Sequence, residues 1–226
     1  MRYVSGMEPQ NQTLSPAPDN AAIYLVAAHP NWRESRVNLR LRDAARQLPG
    51  VLVCDLYDRY PDYSVDVAAA QARLAAARLV VLMHPIQWYS MPALQKLWLD
   101  DVLTYGWAYG VDGTSLRGKD LWLVATTGGP QSSYHPQSYN RYFFDAFLPP
   151  YEQTAALCGM RFLPPLILHG AHNAPEAELA AHVDMLRQRL TSYPDWPELY
   201  GLAECPACEV PTGDRPRGDL LLTDPA

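Results

Sequence analysis

The sequence predicts an α/β fold: a five-stranded parallel sheet in the order 2-1-3-4-5, with helices on both faces. Three observations lead there. Short aliphatic and β-branched runs recur without polar alternation, as strands covered on both faces require. Segments between them repeat apolar residues at helical spacing. Strand and helix alternate along the chain, which implies parallel βαβ units. Five strands favour the flavodoxin-like order over a six-stranded dinucleotide fold.

The elements follow in chain order. Residues 1–20 hold Pro9, Pro16, Pro18 and several Gln, Asn and Ser, and read as a flexible arm. Ala21 to Ala28 is a buried strand, followed by His29-Pro-Asn-Trp-Arg-Glu-Ser35. A helix starts at Ser35, its N-cap, with Val37, Leu41, Ala44 and Leu48 on one face. Val51 to Leu56 is the second strand, Val65 to Ala77 an Ala-rich helix, and Leu79 to Met83 the third strand. That strand stops at Pro85 and opens into a loop carrying Gln87, Trp88 and Tyr89; Pro92 stands where a helix over Met91 to Leu103 can begin. Gly106 to Gly110 is a loop. Asp120 to Ala125 is the fourth strand and ends in Thr126-Thr-Gly-Gly-Pro130. A helical region from Arg141 to Cys158 is expected to be interrupted at Pro149-Pro150. Arg161 to Leu168 is the fifth strand, and Leu179, Val183, Leu186 and Leu190 mark the last helix. Residues 21–193 thus make one domain, and residues 194–226 a Pro-rich tail.

Composition sets outer bounds. Apolar residues make up 48% and charged residues 19%, ordinary for a globular domain. A net charge of −6 argues against general nucleic-acid binding, which needs a basic face. Lysine occurs only at Lys96 and Lys119, so no polybasic membrane patch is visible, and no run is long enough to span a bilayer. The first twenty residues lack the apolar core of a secretory signal. Cys54, Cys158, Cys205 and Cys208 give no disulfide framework, which makes a reducing cytosol the default compartment.

In this sheet order the loops after strands one, three and four meet at the carboxyl edge, by the switch point. Each suits one part of a flavin mononucleotide. The first feeds a helix amino terminus, which attracts anions; Ser35 adds a hydroxyl, Asn38 an amide, and His29 or Arg36 a donor. In the second, Gln87, Trp88 and Tyr89 can flank an isoalloxazine ring. The third, Thr126 to Gly129, brings hydroxyls and bare backbone to the ring's polar edge. Taken singly, a Ser at a helix start is ordinarily a cap, Gln-Trp-Tyr fills core or an interface as well, and Thr-Thr-Gly-Gly can be a turn. Their shared placement is what points to a cofactor.

The motifs His29-Pro-(four residues)-Ser35-Arg-Val-Asn38, His84-Pro-Ile-Gln87-Trp88-Tyr89-Ser90-Met-Pro92, Gly106-Trp-Ala-Tyr-Gly110 and Thr126-Thr-Gly-Gly129 resemble the NAD(P)H:quinone oxidoreductase family. That family holds DT-diaphorase and the ancillary proteins KefF and KefG of glutathione-gated potassium efflux. The likeness runs from about Ile23 to about Leu190, and the stretch from Tyr139 to Gly159 looks closer to KefG than to DT-diaphorase. It implies a flavodoxin-like fold, a bound flavin (FMN preferred over FAD, as no adenine-binding extension is evident), NADH or NADPH as electron donor, and two-electron quinone reduction. It further implies a homodimer with the site at the subunit junction. Carried over by position, His29, Ser35, Arg36, Val37 and Asn38 hold the phosphate end; Ile86, Gln87, Trp88 and Tyr89, with Thr126, Thr127, Gly128 and Gly129, hold the ring. Tyr134 falls where DT-diaphorase has a tyrosine near the hydride-transfer centre. Six residues on, that enzyme uses a histidine where this chain has Asn140, and an amide exchanges no proton near neutral pH; His135 is adjacent and can substitute. The rival reading is a flavin-binding regulatory subunit of a membrane potassium-efflux transporter, cytoplasmic and held at the inner face of the membrane through that partner. Asn140 and the long tail favour it. A one-electron carrier is the third reading.

Other conspicuous residues have plain roles. Cys205-Pro-Ala-Cys208 offers two of the four ligands a zinc site needs, so no metal site is assigned: redox chemistry or a metal shared between subunits is the weaker reading, and a solvated, unstructured stretch the stronger. His169-Gly-Ala-His172 reads as a loop with chance histidines. Cys54, Cys158, Trp98 and Trp122 read as core, and His182 as a packing residue on the last helix.

Overall fold

Each strand is a short apolar run whose side chains alternate between two layers. The computed structural model describes residues 22–201. In it β1 (Ile23–Ala27), β2 (Val51–Asp55), β3 (Leu79–Pro85), β4 (Asp120–Thr126) and β5 (Arg161–Leu168) form one parallel sheet, ordered β2-β1-β3-β4-β5. The expected order and strand positions are those observed. The amino ends are aligned: Ile23 pairs with both Val51 and Leu79, Leu79 with Asp120, and Asp120 with Arg161. The loops that follow the strands therefore emerge along a single edge.

Alternate residues of the strands sort the core into two apolar layers. Leu25, Val81, Trp122 and Val124 pack with Leu41 of α1 (Val37–Arg46) and Leu186 of α6 (Glu176–Ser192). Tyr24, Val80, Leu82 and Leu123 pack with Leu74 of α3 (Val67–Ala76), Trp98 of α4 (Ala93–Val102) and Tyr151 of α5 (Pro149–Leu157). Trp98, Trp122, Cys158 and His182 are buried as expected, whereas Cys54 is only half-buried. Pro164 and Pro165 fall in β5, an edge strand where the missing N–H groups are tolerated, and the β4–β5 register shifts between Trp122 and Val124 beside them.

Local chemistry moves several boundaries. The first helix begins at Val37 rather than Ser35, because Trp32–Glu34 winds into a 3-10 turn first. A short helix, α2 (Leu56–Arg59), follows β2, capped by Asp55, which accepts from Asp58 N–H. Asp66 caps α3 by accepting from Ala69 N–H at 3.0 Å. Pro149 and Pro150 open α5 instead of interrupting a helix; proline fits the first turn, where its missing N–H has no intrahelical partner to lose. The packed unit also runs past the expected boundary at Tyr193. Trp196 and Leu199 are buried, the Trp196 ring meets Trp122 edge-on at 4.9 Å, and its indole donates to Arg189 O at 2.8 Å. The expected arm, and the rest of the tail with Cys205 and Cys208, lie outside the described residues.

Candidate functional site

Four loops meet at the carboxyl edge. After β1, the chain winds through Trp32–Glu34 into α1, and Ser35 Oγ accepts from Leu39 N–H at 3.1 Å, so Ser35 caps the helix from just outside it. The backbone N–H groups of Arg36, Val37 and Asn38 have no acceptor among the described residues. That row of free donors, with the positive end of the helix behind it, is chemically suited to an anion. The side chains are occupied otherwise. Val37 lies in the core, and the Arg36 guanidinium donates to Ala174 O at 2.6 Å and pairs with Glu176 at 3.3 Å. Arg36 thus offers a ligand its backbone rather than its charge. His29 is half-buried, which lowers its pKa; its Nδ1 accepts from Asn31 N–H, leaving hydrogen on Nε2 when neutral. Asn38 is buried, and its Nδ2 donates to Thr126 Oγ1 at 2.8 Å while its Oδ1 has no partner.

After β3, Ile86 N–H donates to Thr126 O at 2.7 Å. Gln87 and Ser90 then exchange backbone hydrogen bonds around a tight turn with Trp88 at φ 48° and Tyr89 at φ 64°. Trp88 is 93% exposed. Tyr89 stacks on Phe147 at 5.2 Å, and its hydroxyl lies 3.4 Å from Asn140 Oδ1.

After β4, Gly128 and Gly129 keep free N–H groups among the described residues. Thr126 and Thr127 are buried, and Thr127 Oγ1 donates to Gly129 O at 2.7 Å. A Cβ on Gly129 would stand 2.7 Å from Ser133 Oγ and 2.8 Å from Tyr139 Oη. Tyr134 is buried edge-on against Phe144 and Phe147, and burial raises its pKa. Asn140 is held inside: its Nδ2 donates to Ser133 Oγ at 2.8 Å, and Ser133 Oγ donates to Pro130 O at 2.7 Å. His135 is exposed beside Phe143, with Nδ1 accepting from Gln137 N–H.

Sequence reasoning missed the fourth loop. His169 contacts Thr127, Tyr134 and Phe144, all at the site. The signal available was its position just past β5, on the same edge as the other loops.

A family described as having a flavodoxin-like fold matches residues 21–190. KefF of Citrobacter koseri, named an ancillary protein of the glutathione-regulated potassium-efflux system, is 44% identical over 171 residues, 76% of this chain and 96% of its own. The structure of general stress protein 14 from Treponema denticola in complex with FMN is 34% identical, with a TM-score of 0.71, covering 75% of this chain and 98% of that one. An NADPH-quinone reductase from P. pentosaceus is 25% identical with a TM-score of 0.67, covering 74% of this chain and 95% of that one. Five parallel strands in this order, with a match along most of its length, establish that the chain belongs to the family with the flavodoxin-like fold.

Proposed function

We propose that this chain binds FMN at the carboxyl edge and acts as an NAD(P)H dehydrogenase (quinone). The observation that carries the reading is the row of unpaired N–H groups from Arg36 to Asn38, behind the Ser35 cap and beside the glycine loop. The residues fit the group. A phosphate is rich in acceptors and meets donors; Asn38 Oδ1 lacks a donor, which a ribityl hydroxyl would supply; Gly128 and Gly129 offer backbone N–H without side chains. The FMN complex of the Treponema relative supports FMN over FAD.

The chemistry FMN supplies when bound is two-electron hydride transfer, from NAD(P)H and then, in a ping-pong sequence, to a quinone. The chain's part is positioning and charge. The Gly128 and Gly129 N–H groups would stabilise negative charge on the bound ring. Tyr89, braced on Phe147, and Tyr134, braced on Phe144, give the site aromatic walls. Asn140 positions: its amide is spent on Ser133 and Tyr89, so it does not deliver the proton a quinone needs beside the hydride. His135 is the exposed group with a ring nitrogen, Nε2, available for that exchange. A second copy of the chain would cover the exposed rings of Trp88, Tyr139, Tyr142 and Phe143.

The test is an absorption spectrum of the purified chain, then NADH or NADPH added without oxygen. Flavin bands that bleach, and return on adding a quinone, support the reading; a colourless protein that stays apo with FMN sinks it.

A second reading is favoured by the 44% identity to KefF across nearly all of that protein, together with the fixed Asn140. In it the chain is a flavin-binding ancillary subunit of a potassium-efflux transporter with little turnover, cytoplasmic and peripheral at the membrane through that partner. No helix among the described residues is long and apolar enough to cross a membrane. Bound flavin that neither nicotinamide reduces, with capture by the transporter, would select it.

A further inference from the structure

The turn after β5, His169-Gly170-Ala171-His172, braces the glycine loop from behind. Gly170 N–H donates to Gly129 O and Ala171 N–H to Thr127 O, each at 2.9 Å. A Cβ on Gly128 would stand 3.3 Å from the His172 ring. His169 makes the one side-chain bond of this bracing that the described residues show: its Nδ1 lies 3.0 Å from Thr127 Oγ1. Thr127 Oγ1 also lies 2.7 Å from Gly129 O, a carbonyl that can only accept. A hydroxyl has one hydrogen, and here the carbonyl takes it. His169 must then be the donor, from Nδ1, which leaves Nε2 bare in the neutral ring. Tyr134 at 5.3 Å and Phe144 at 5.0 Å hold the imidazole plane in place.

We propose that His169 is a positioning residue for the flavin-ring loop, donating from Nδ1 to Thr127 Oγ1 and so holding Thr127–Gly129 in the conformation that leaves the Gly128 and Gly129 N–H groups unpaired. This rests on the reading of the site as flavin-binding. The chain of bonds runs His169 to Thr127 to Gly129 O, and the last of these carbonyls is fixed twice, by Thr127 and by Gly170. Burial lowers the His169 pKa, which favours the uncharged ring, and the bond to Thr127 selects its tautomer.

Two measurements on the full chain test this. The first needs no flavin: the long-range proton–nitrogen NMR spectrum should show His169 as the Nδ1–H tautomer at neutral pH. An Nε2–H tautomer overturns the proposal. The second compares FMN dissociation constants of wild type, His169→Asn, His169→Gln and His169→Leu. An asparagine amide can stand near the Nδ1 position and a glutamine amide near Nε2. Asparagine should therefore bind FMN close to wild type, while glutamine and leucine bind about fivefold to tenfold more weakly, the worth of one hydrogen bond. Equal affinities for asparagine and glutamine, or for leucine and wild type, overturn the role. A weaker leucine variant whose apo melting temperature falls as far as its affinity would mark general destabilisation instead, and also overturns it. Wild type that takes up no FMN defeats the site reading itself, a result distinct from equal binding by wild type and variants.

Discussion

Asn38 Nδ2 donates to Thr126 Oγ1 across 2.8 Å, tying the first turn of α1 to the last residue of β4. Both side chains are buried, so the bond joins the amino terminus of α1 to the start of the glycine loop where water does not compete. The other amide atom, Oδ1, has no donor. A buried acceptor left unpaired costs roughly 1–3 kcal/mol, which a hydroxyl-bearing ligand would relieve. Two substitutions separate these effects. Thr126→Val strands Asn38 Nδ2 and should destabilise the apo protein by about 1–3 kcal/mol in urea unfolding. Asn38→Leu removes the orphan Oδ1 but strands Thr126 Oγ1, so its apo stability should fall no further than that of Thr126→Val, while FMN affinity falls at least about tenfold. Unchanged FMN binding in Asn38→Leu would remove Asn38 from the site.

What was legible in the sequence follows from how local each cause is. The strands at Ile23, Leu79 and Asp120 announce themselves because residues covered on both faces must be apolar, and the sheet order follows from alternation with helices. The Ser35 and Thr126–Gly129 loops were legible because caps and bare backbone are local devices. Pro149-Pro150 was ambiguous, since proline breaks a helix inside and opens one at its start. His169 and Trp196 were not legible as placed, because their partners are distant along the chain: Thr127 lies 42 residues before His169, and Trp122 stands on β4, the whole of β5 and α6 before Trp196. The commitment of Arg36 to Glu176 is likewise long-range, and a loop arginine reads as free until the chain folds.

Gly129 should tolerate no side chain. Its added Cβ would collide with Ser133 Oγ and Tyr139 Oη and so disturb the bond that fixes Asn140. Gly129→Ala should weaken FMN binding by at least about tenfold. Gly50→Ala is the control: nothing lies within 4 Å of its added Cβ, and its φ of 76° should cost only about 1 kcal/mol of stability. Titration of both variants with FMN reads the difference, and equal affinity would remove the glycine loop from the site.

Stability should fall on acidification through two buried histidines. His84 is fully buried, its Nδ1 donating to Pro85 O at 3.0 Å and its Nε2 unpartnered; burial pulls its pKa from 6.5 down to about 4. His182 is lowered to about 4 by the same cause. Because both folded values lie below the unfolded one, the unfolded chain binds protons first. The stability they support is complete above about pH 6.5 and is lost as pH falls toward about 4. The size is on the order of 3 kcal/mol for His84. Melting temperatures between pH 7.5 and pH 4.5 check the direction, and His182→Leu should flatten the slope. A variant as acid-sensitive as wild type would count against His182.

At the opposite edge of the sheet, Asp120 accepts from Arg161 through both oxygens, at 2.8 and 2.9 Å, and from the Tyr193 hydroxyl at 2.8 Å. Asp120 is buried, and these donors satisfy its carboxylate oxygens. Arg161→Met should cost about 3 kcal/mol by leaving that charge poorly matched, whereas Tyr193→Phe removes one donor of several and should cost about 1 kcal/mol. Denaturant midpoints decide the order; a larger loss for Tyr193→Phe would assign the clamp to the chain beyond α6 instead.

Trp88 combines strain with exposure. It and Tyr89 occupy consecutive left-handed positions in a two-residue turn of the kind that favours Asn-Gly, at about 1–2 kcal/mol of backbone cost each. At 93% exposure the indole gains nothing measurable inside one copy of the chain. Trp88→Gly should therefore raise the melting temperature of dilute, monomeric protein, since glycine adopts positive φ without the Cβ clash. If the indole is covered by a second copy, the same variant should weaken self-association in sedimentation equilibrium by about tenfold or more, as loss of an aromatic anchor does. A stabilised monomer with unchanged association would place any dimer contact elsewhere on the surface. A destabilised monomer would show that the turn depends on the indole.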